Sequence, residues 1–191
     1  MNIVKRILDK IKFLNNQITY NFISTKIKTN EKFTSSLLIK LEKYFGGRVE
    51  AKINKYSDHD TRSIEEIKNW NGKGVIIGGD RFFLHNYSEI YYSHLKNIVK
   101  LSKEELITIV EIGILKGTGL AVWDYIFSKK KIIGLDIDLS HFNNNLDIKK
   151  KAFKNELPET YIFDQLCPDT KSINEIFVNR KIDVVVDDGY H

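Results

Sequence analysis

The sequence of 191 residues has little of several residue types: one cysteine, one methionine and two prolines. The lone Cys167 cannot build an internal disulfide framework, which argues against a secreted disulfide-rich domain. No segment approaches the roughly 20 consecutive apolar residues that a membrane-spanning helix needs. The N-terminus interrupts each short apolar run with a charge and lacks a small-residue cleavage site, so we expect no signal peptide. These absences favour a cytoplasmic, globular protein without a transmembrane segment.

The positive charge is concentrated in the first part of the chain. The formal net charge is +5, yet residues 1–55 carry 12 Lys and Arg against 4 Asp and Glu, and the rest carry 18 against 21. The larger part is therefore slightly acidic, and we expect no nucleic-acid partner. Apolar residues recur at helical spacing over 3–14, which predicts an amphipathic helix with a solvated basic face. Contact of that face with anionic lipid or a polyanionic substrate is the alternative.

We expect two regions of different organisation. Residues 1–79 form a basic, mainly helical N-terminal region, with helices predicted over 3–15 and 34–45 and a strand-like run at 75–77. Residues 80–191 form the second region. It opens with a helix predicted over 86–101, where apolar positions recur at spacings of three and four.

The rest of the second region alternates strands with helices. Runs rich in Ile and Val predict strands at 107–113, 131–138, 159–164 and 181–189, and the segments between them predict helices at 118–128 and 169–179 and a mixed helical region at 139–155. Strands this apolar are typical of a parallel sheet covered on both faces. We therefore predict a Rossmann-like, doubly wound α/β fold, in which ligands bind beyond the carboxyl ends of the strands.

The first of these strands runs into a glycine-rich turn. Glu111 precedes Gly113, Gly117 and Gly119 in the pattern G-x-x-x-G-x-G, whereas a pyrophosphate-binding turn reads G-x-G-x-x-G. Glycines let the main chain approach a ligand, and the acid can accept from an amine, so the turn suits a cationic ligand better than a dinucleotide. The alternative is a purely structural tight turn.

Carboxylates and an amide follow the next two strands. Asp136 ends the second strand, where a carboxylate can accept both hydroxyls of a ribose, and Asp138 lies two residues further on. Asp164 and Gln165 end the third strand, where their oxygens can accept from the exocyclic amine of adenine. For each acid the alternative is a helix cap or a solvated loop position.

The fourth strand ends in Asp187, Asp188, Gly189, Tyr190 and His191. Two adjacent carboxylates repel each other unless a cation or a hydrogen-bond network offsets the repulsion. A hard divalent ion such as Mg2+ takes oxygen ligands and would do so. The histidine is a plausible general base because its ordinary pKa lies near working pH. A structural role for the pair Asp188 and His191 is the alternative.

These motifs together resemble one family: class I S-adenosylmethionine-dependent methyltransferases of the macrocin and mycinamicin O-methyltransferase type, with related sequences labelled cephalosporin hydroxylase or rhamnosyl O-methyltransferase. The segments that carry the resemblance are VEIGILKGTGLAVW (110–123), IIGLDID (132–138), FDQ (163–165), VVVDDGYH (184–191) and, upstream, HNYSEIYYSHL (85–95). The family typically reads DDGSH where this chain has DDGYH, so Tyr190 departs from the pattern. The resemblance covers residues 80–191.

The resemblance implies a function and a set of site residues. Glu111, Gly113 and Gly117 would line the methionine end of S-adenosylmethionine, Asp136 would hold the ribose, and Asp164 or Gln165 the adenine side. Asp188 would bind Mg2+ or another divalent cation, and His191 would take the proton from the acceptor. The implied reaction is metal-assisted methyl transfer to a hydroxyl of a sugar or glycosylated small molecule.

Three expectations remain open at this point. Because the family continues beyond the position of His191, we expect this chain to be C-terminally truncated, with residues 184–188 forming an apolar sheet edge that is prone to association. A homo-oligomer is therefore possible. The alternative functions are a catechol-type O-methyltransferase and a non-catalytic module that keeps the cofactor pocket; the glycine spacing disfavours an NAD-dependent oxidoreductase.

Overall fold

The structure is a computed structural model that describes residues 27, 31–46, 49–50, 75–76, 81–83, 85–166 and 170–189. By main-chain contacts the chain divides into two compact units, Met1–Ser93 and His94–His191. The helix predicted over 3–15 and the predicted boundary between residues 79 and 80 lie outside the described residues. No helix within the described ranges is long and apolar enough to cross a bilayer.

In the first unit, helix α1 spans Ser35–Tyr44, close to the predicted 34–45. Thr34 caps it: the residue has extended geometry, and its Oγ1 accepts a hydrogen bond of 3.2 Å from the N–H of Leu37. Strands β1 (Val49–Glu50) and β2 (Val75–Ile76) pair antiparallel. Residues 75–76 of the run predicted at 75–77 are therefore a strand, residue 77 lies outside the described residues, and the partner strand was not predicted.

One acid lies on the buried side of α1. Glu42 is 1% exposed and its two carboxylate oxygens accept the main-chain N–H groups of Phe82 and Phe83 at 2.8 and 3.0 Å. The guanidinium of Arg81 stands 5.8 Å from the Phe82 ring centre and 5.6 Å from that of Tyr91. Hydrogen bonds to the main chain offset the cost of burying the Glu42 carboxylate and tie the turn at 81–83 to the helix.

Helix α2 (Ser88–Leu101) leads into the second unit, whose strands are all parallel. The elements follow in the order β3 (Ile107–Ile112), α3 (Thr118–Ile126), β4 (Lys130–Asp136), α4 (Ser140–Asn143), α5 (Leu146–Lys151), β5 (Glu159–Ile162), α6 (Thr170–Phe177) and β6 (Val184–Asp187). The strands lie side by side in the order β5-β4-β3-β6. This arrangement confirms the predicted Rossmann-like α/β fold with four parallel strands.

Helices cover both faces of this sheet. Val110 packs with Ile133, Leu135 and Ile176 of α6 in one buried cluster. Its neighbour in β3, Glu111, must point to the opposite face because side chains alternate along a strand, and there it contacts α3. The sheet is thus sandwiched between α6 on one face and α3 on the other, as continuous apolar strands require.

Two predicted segments differ from the structure for local reasons. The mixed region at 139–155 is two short helices, because the side chain of Asn145 accepts from the N–H of Ile148 at 3.2 Å and starts a second helix there. Strand β6 begins at Val184 and not at 181. Just before it, the N–H of Asp183 donates to Thr108 O at 3.0 Å, but the Asp183 carboxylate, and not a main-chain carbonyl, accepts the N–H of Thr108 at 2.9 Å.

An ion cluster surrounds Glu159 at the start of β5. Its carboxylate accepts from Lys131 Nζ at 2.7 Å, Arg180 Nη1 at 2.5 Å and Tyr161 OH at 2.8 Å. Burial alone would raise the pKa of Glu159, but the hydrogen bonds from Arg180, Lys131 and Tyr161 outweigh it and lower that pKa from 4.5 to about 2. The cluster joins β4, β5 and the segment that follows α6.

We predict that Glu159→Gln lowers the free energy of unfolding at neutral pH by roughly 1 kcal/mol. Because the folded-state pKa is lowered, the stabilisation is complete above about pH 4.5 and is lost as the pH falls toward about 2, so the difference from the parent should shrink over that range. Urea denaturation across this pH range measures it. Glu156→Gln, an exposed acid three residues earlier, is the control; an equal effect of both substitutions would contradict the prediction.

Candidate functional site

The carboxyl ends of the four strands lie side by side. Main-chain hydrogen bonds continue the ladder one residue past the strands: Gly113 N to Leu135 O at 2.8 Å, Asp188 N to Ile112 O at 2.9 Å, and Phe163 N to Asp136 O at 2.9 Å. The loops after all four strands therefore start from the carboxyl end of the sheet. The predicted site residues that follow β3, β4, β5 and β6 lie at this same end. His191 lies outside the described residues.

Gly113 is the point of closest approach between two of these loops. It has a φ of +78°, and a Cβ there would lie 2.6 Å from both the carbonyl oxygen of Asp188 and the Cα of Gly189. Both the left-handed conformation and the adjacent main chain therefore require glycine. The turn after β3 is packed directly against the turn after β6.

Gly117 begins helix α3 in the same left-handed region, with a φ of +83°. A Cβ at this position would overlap the Phe142 ring, and the Asn145 side chain donates to the carbonyl of Lys116 at 3.0 Å. Helix α4 and the cap of α5 thus cover the outer side of the glycine-rich turn. Gly113 and Gly117 both have structural reasons to be glycine, which is compatible with either interpretation of the turn.

Glu111 is buried between β3 and α3. Its carboxylate is 1% exposed and accepts from Trp123 Nε1 at 2.7 Å. A Cβ at position 119 would overlap Glu111 Oε1, so Gly119 leaves the space that the carboxylate fills. In this position Glu111 fixes helix α3 to the strand; a contact with the methionine end of a cofactor stays a prediction.

Asp136 ties the end of β4 to the glycine-rich turn. Its Oδ2 accepts the N–H of Leu115 at 2.8 Å, and its Oδ1 accepts the N–H of Asp138 at 3.1 Å. Leu115 has a φ of +44°, unusual for a residue with a γ-branched side chain. The half-buried carboxylate therefore holds the turn in this conformation. It lies at the carboxyl end of β4, where the candidate site is.

Asp138 has a local role. It accepts from the N–H and Oγ of Ser140 at 2.8 Å each, and these hydrogen bonds, the backbone one first, lower the pKa of its carboxyl. Its side chain is 57% exposed and makes a local turn with Ser140, while Leu139 is the residue at the N-cap of α4. Of the alternatives stated for Asp138, the structure supports the solvated loop position.

The residues after β5 reach across the sheet. Asp164 Oδ1 accepts the N–H of Leu166 at 2.9 Å. Gln165 Nε2 lies 3.2 and 3.4 Å from the two carboxylate oxygens of Asp187, which ends β6, the outer strand on the other side of the sheet from β5. The structure therefore joins Gln165 to the Asp187–Asp188 pair. Adenine contacts of Asp164 and Gln165 stay predictions.

A hydrogen-bond network surrounds the first of the two adjacent acids. The Asp187 carboxylate accepts from Gln165 and from the N–H of Gly189 at 3.2 Å. Asp187 and Asp188 are both exposed to solvent. Within the described part of the chain, no three His, Cys, Asp or Glu side chains form a metal-binding group. Mg2+ commonly keeps several waters and takes one or two protein carboxylates. Asp188 fits that chemistry as a single protein ligand.

A cavity of about 290 Å³ lies at the other end of the sheet, beside the first residues of β4 and β5. Three consecutive lysines, 129–131, line it together with acids. Lys130 pairs with Asp124 at 2.9 Å and Lys131 with Glu159 at 2.7 Å, so charges of the lining neutralise each other. In sheets of this topology ligands bind at the carboxyl ends, and we place the candidate site there.

The fold and these contacts define an α/β protein with a candidate ligand site at the carboxyl ends of a parallel sheet. Neither a scan against protein-family models nor a search of curated proteins gave a match. The function is therefore argued from the site itself.

Three contacts of this site were not predicted from the sequence: Trp123 with Glu111, Leu115 with Asp136, and Gln165 with Asp187. The signal for Trp123 was its place in a helix that follows a buried acid, since a buried carboxylate needs a donor. The contacts of Leu115 and Asp187 link segments far apart in sequence and leave no local pattern.

We predict that Gly113→Ala destabilises the second unit more than Gly117→Ala. Both substitutions incur the left-handed strain of roughly 1–2 kcal/mol, but the new methyl group meets main chain at 113 and the ring of Phe142 at 117. We expect a loss of more than about 2 kcal/mol at 113. Urea denaturation followed by Trp fluorescence measures both; an equal or smaller loss at 113 would contradict the close approach of the two turns.

Proposed function

We propose that the second unit binds S-adenosylmethionine and that the protein is an O-methyltransferase acting on a hydroxyl of a sugar or of a glycosylated small molecule. The observation that carries this proposal is the hydrogen bond between Asp136 and the N–H of Leu115, 2.8 Å long. This hydrogen bond joins Asp136, at the carboxyl end of β4, to the glycine-rich turn that follows the neighbouring strand β3. A nucleoside that lies across these two strand ends would meet both features.

The acceptor capacity of Asp136 supports the ribose part of the proposal. An ionised carboxylate has about four acceptor positions, and the two hydrogen bonds from Leu115 and Asp138 use one on each oxygen. Ribose hydroxyls are donors, and a carboxylate at this point of an open α/β sheet commonly accepts them. Asp136 can therefore hold the turn and a ribose together.

The strand order supports the location. The chain moves from β3 outward to β4 and β5 and then returns to the other side of β3 with β6, so the direction reverses between β3 and β6. Ligands of open α/β sheets bind outside such a reversal. Gly113 and Gly189 face each other there. The carboxyl end of the sheet also has a negative potential that suits a cationic cofactor, because an acid follows each of three strands: Asp136, Asp164 and Asp188.

The chemistry requires an electrophile, an oriented hydroxyl and a base. S-adenosylmethionine would supply a methyl group on a sulfonium: a C–O bond to the acceptor would form as the C–S bond breaks, S-adenosylhomocysteine would leave as a neutral thioether, and the hydroxyl proton would pass to a base. We propose His191 as the base and Asp188 as a ligand of Mg2+ or another divalent cation. The lone Cys167 and the acidic balance of residues 56–191 support a cytoplasmic enzyme with a glycan or small-molecule acceptor.

Asp136→Asn should weaken binding of S-adenosylhomocysteine roughly tenfold or more, because a charge-assisted hydrogen bond to the ribose is lost. Isothermal titration calorimetry measures the affinity. Asp138→Asn is the matched control: its side chain is exposed, and the asparagine oxygen can still accept the N–H of Ser140. Equal affinities of parent and Asp136→Asn, or a parent that binds NAD in preference to S-adenosylhomocysteine, would overturn the proposal.

Asp188→Asn should weaken the binding of Mn2+, used as a paramagnetic substitute for Mg2+, roughly tenfold, because the carboxylate charge is removed. Electron paramagnetic resonance of free Mn2+ during titration measures this. Asp147→Asn removes an exposed acid that pairs with Lys151 on α5 and should leave the affinity unchanged. A parent protein that binds no Mn2+ at millimolar concentration would remove the metal from the proposal.

A further inference from the structure

One hydrogen bond in the second unit connects the two outermost strands. In the order β5-β4-β3-β6, two strands separate β5 from β6. Since neighbouring strands lie 4.7–4.9 Å apart, the outer strands are about 14 Å apart. Nevertheless Gln165, in the loop after β5, donates to Asp187 at the end of β6.

The loop after β5 must cross the sheet within a few residues. At Phe163 the chain still pairs with β4, through the hydrogen bond of 2.9 Å to Asp136 O. Two extended residues span at most about 7 Å, and the Gln165 side chain covers the remaining distance. Residues 163–166 therefore run over the carboxyl ends of β4 and β3. The proposed cofactor would bind at this end of the sheet.

The chemistry of the partners fixes how the Gln165 carboxamide is turned. A carboxylate only accepts, so the amide nitrogen faces Asp187 and the amide oxygen faces away. That oxygen lies where a Cβ of residue 189 would stand, so the absence of a side chain at Gly189 makes room for it. Asp187 also accepts the N–H of Gly189 at 3.2 Å. The Asp187 carboxylate thus fixes both the orientation of the Gln165 carboxamide and the conformation of the turn after β6.

We propose that Asp187 is a positioning residue: through its hydrogen bond to Gln165 it holds residues 163–166 across the carboxyl ends of β4 and β3 and orients the carboxamide at the reversal between β3 and β6. We call this bond the Gln165–Asp187 latch. The inference rests on the proposed function, because the ligand it helps to enclose is the proposed nucleoside cofactor. The latch favours binding because it fixes residues 163–166 and the turn after β6, which packs against Gly113, before the ligand arrives.

An exchange of donor and acceptor tests the latch. Gln165→Glu places two carboxylates against each other and should weaken binding of S-adenosylhomocysteine roughly tenfold. Adding Asp187→Asn to that variant restores a donor and an acceptor in reversed order, and the new carboxamide oxygen can still accept from the N–H of Gly189, so affinity should return to within about threefold of the parent. Calorimetry measures binding, and urea denaturation confirms that each variant is folded. Asp147→Asn is again the control.

The outcomes separate the latch from the proposed function. Rescue in the double variant supports the latch. Equal weakening in the single and double variants, or tighter binding in Gln165→Glu, overturns it, since tighter binding would mean that the loop obstructs the site. If neither the parent nor any variant binds S-adenosylhomocysteine, the proposed function fails. NMR then tests the latch alone: the side-chain amide resonances of Gln165 should shift in Asp187→Ala, and unchanged resonances would overturn the latch.

Discussion

The hydrogen bond between the buried Glu111 carboxylate and the Trp123 indole holds helix α3 against strand β3, with the glycine-rich turn between them. An ionised carboxylate inside a protein costs several kcal/mol unless donors compensate for the lost water. Here the indole donates, and the missing side chain of Gly119 leaves the space. The direction of α3, and hence the conformation of the turn that begins it, follows from this contact.

The other strand ends are arranged around that turn. Asp136 accepts from the turn on one side, and the main chain of Asp188 and Gly189 lies against Gly113 on the other. Each contact involves main-chain groups, whose positions depend on the strands and not on side-chain rotamers. An arrangement of this kind can hold polar groups at a fixed separation before a ligand arrives, which limits the entropy lost on binding.

The fold could be predicted from the sequence because burial on both faces gives a parallel strand a continuous Ile and Val run. Thus ITIVEI and the run around Ile133 stand out without any knowledge of the fold. The run around Val185 has the same composition, although Val185 itself is exposed in the structure. The strand ends then followed from the topology, so Gly113 and Asp136 were found at one edge of the sheet as expected. The environment of Glu111 could not be predicted, because its donor is fixed only when α3 packs. Gln165 was assigned by its place after β5, and nothing local in the sequence encodes its reach to Asp187.

The order of the strands also bears on how the sheet is assembled. Strands β3 and β4 follow each other along the chain, whereas Thr108 and Asp183, which join β3 to the segment before β6, are 75 residues apart. Loop-closure entropy rises with the length of chain enclosed, so β6 adds to the sheet at a greater entropic cost than β4 does. The turn of Asp188 and Gly189 that packs against Gly113 comes with that strand. Completion of the candidate site is therefore coupled to the most non-local strand pairing of the second unit, because the turn that packs against Gly113 follows β6.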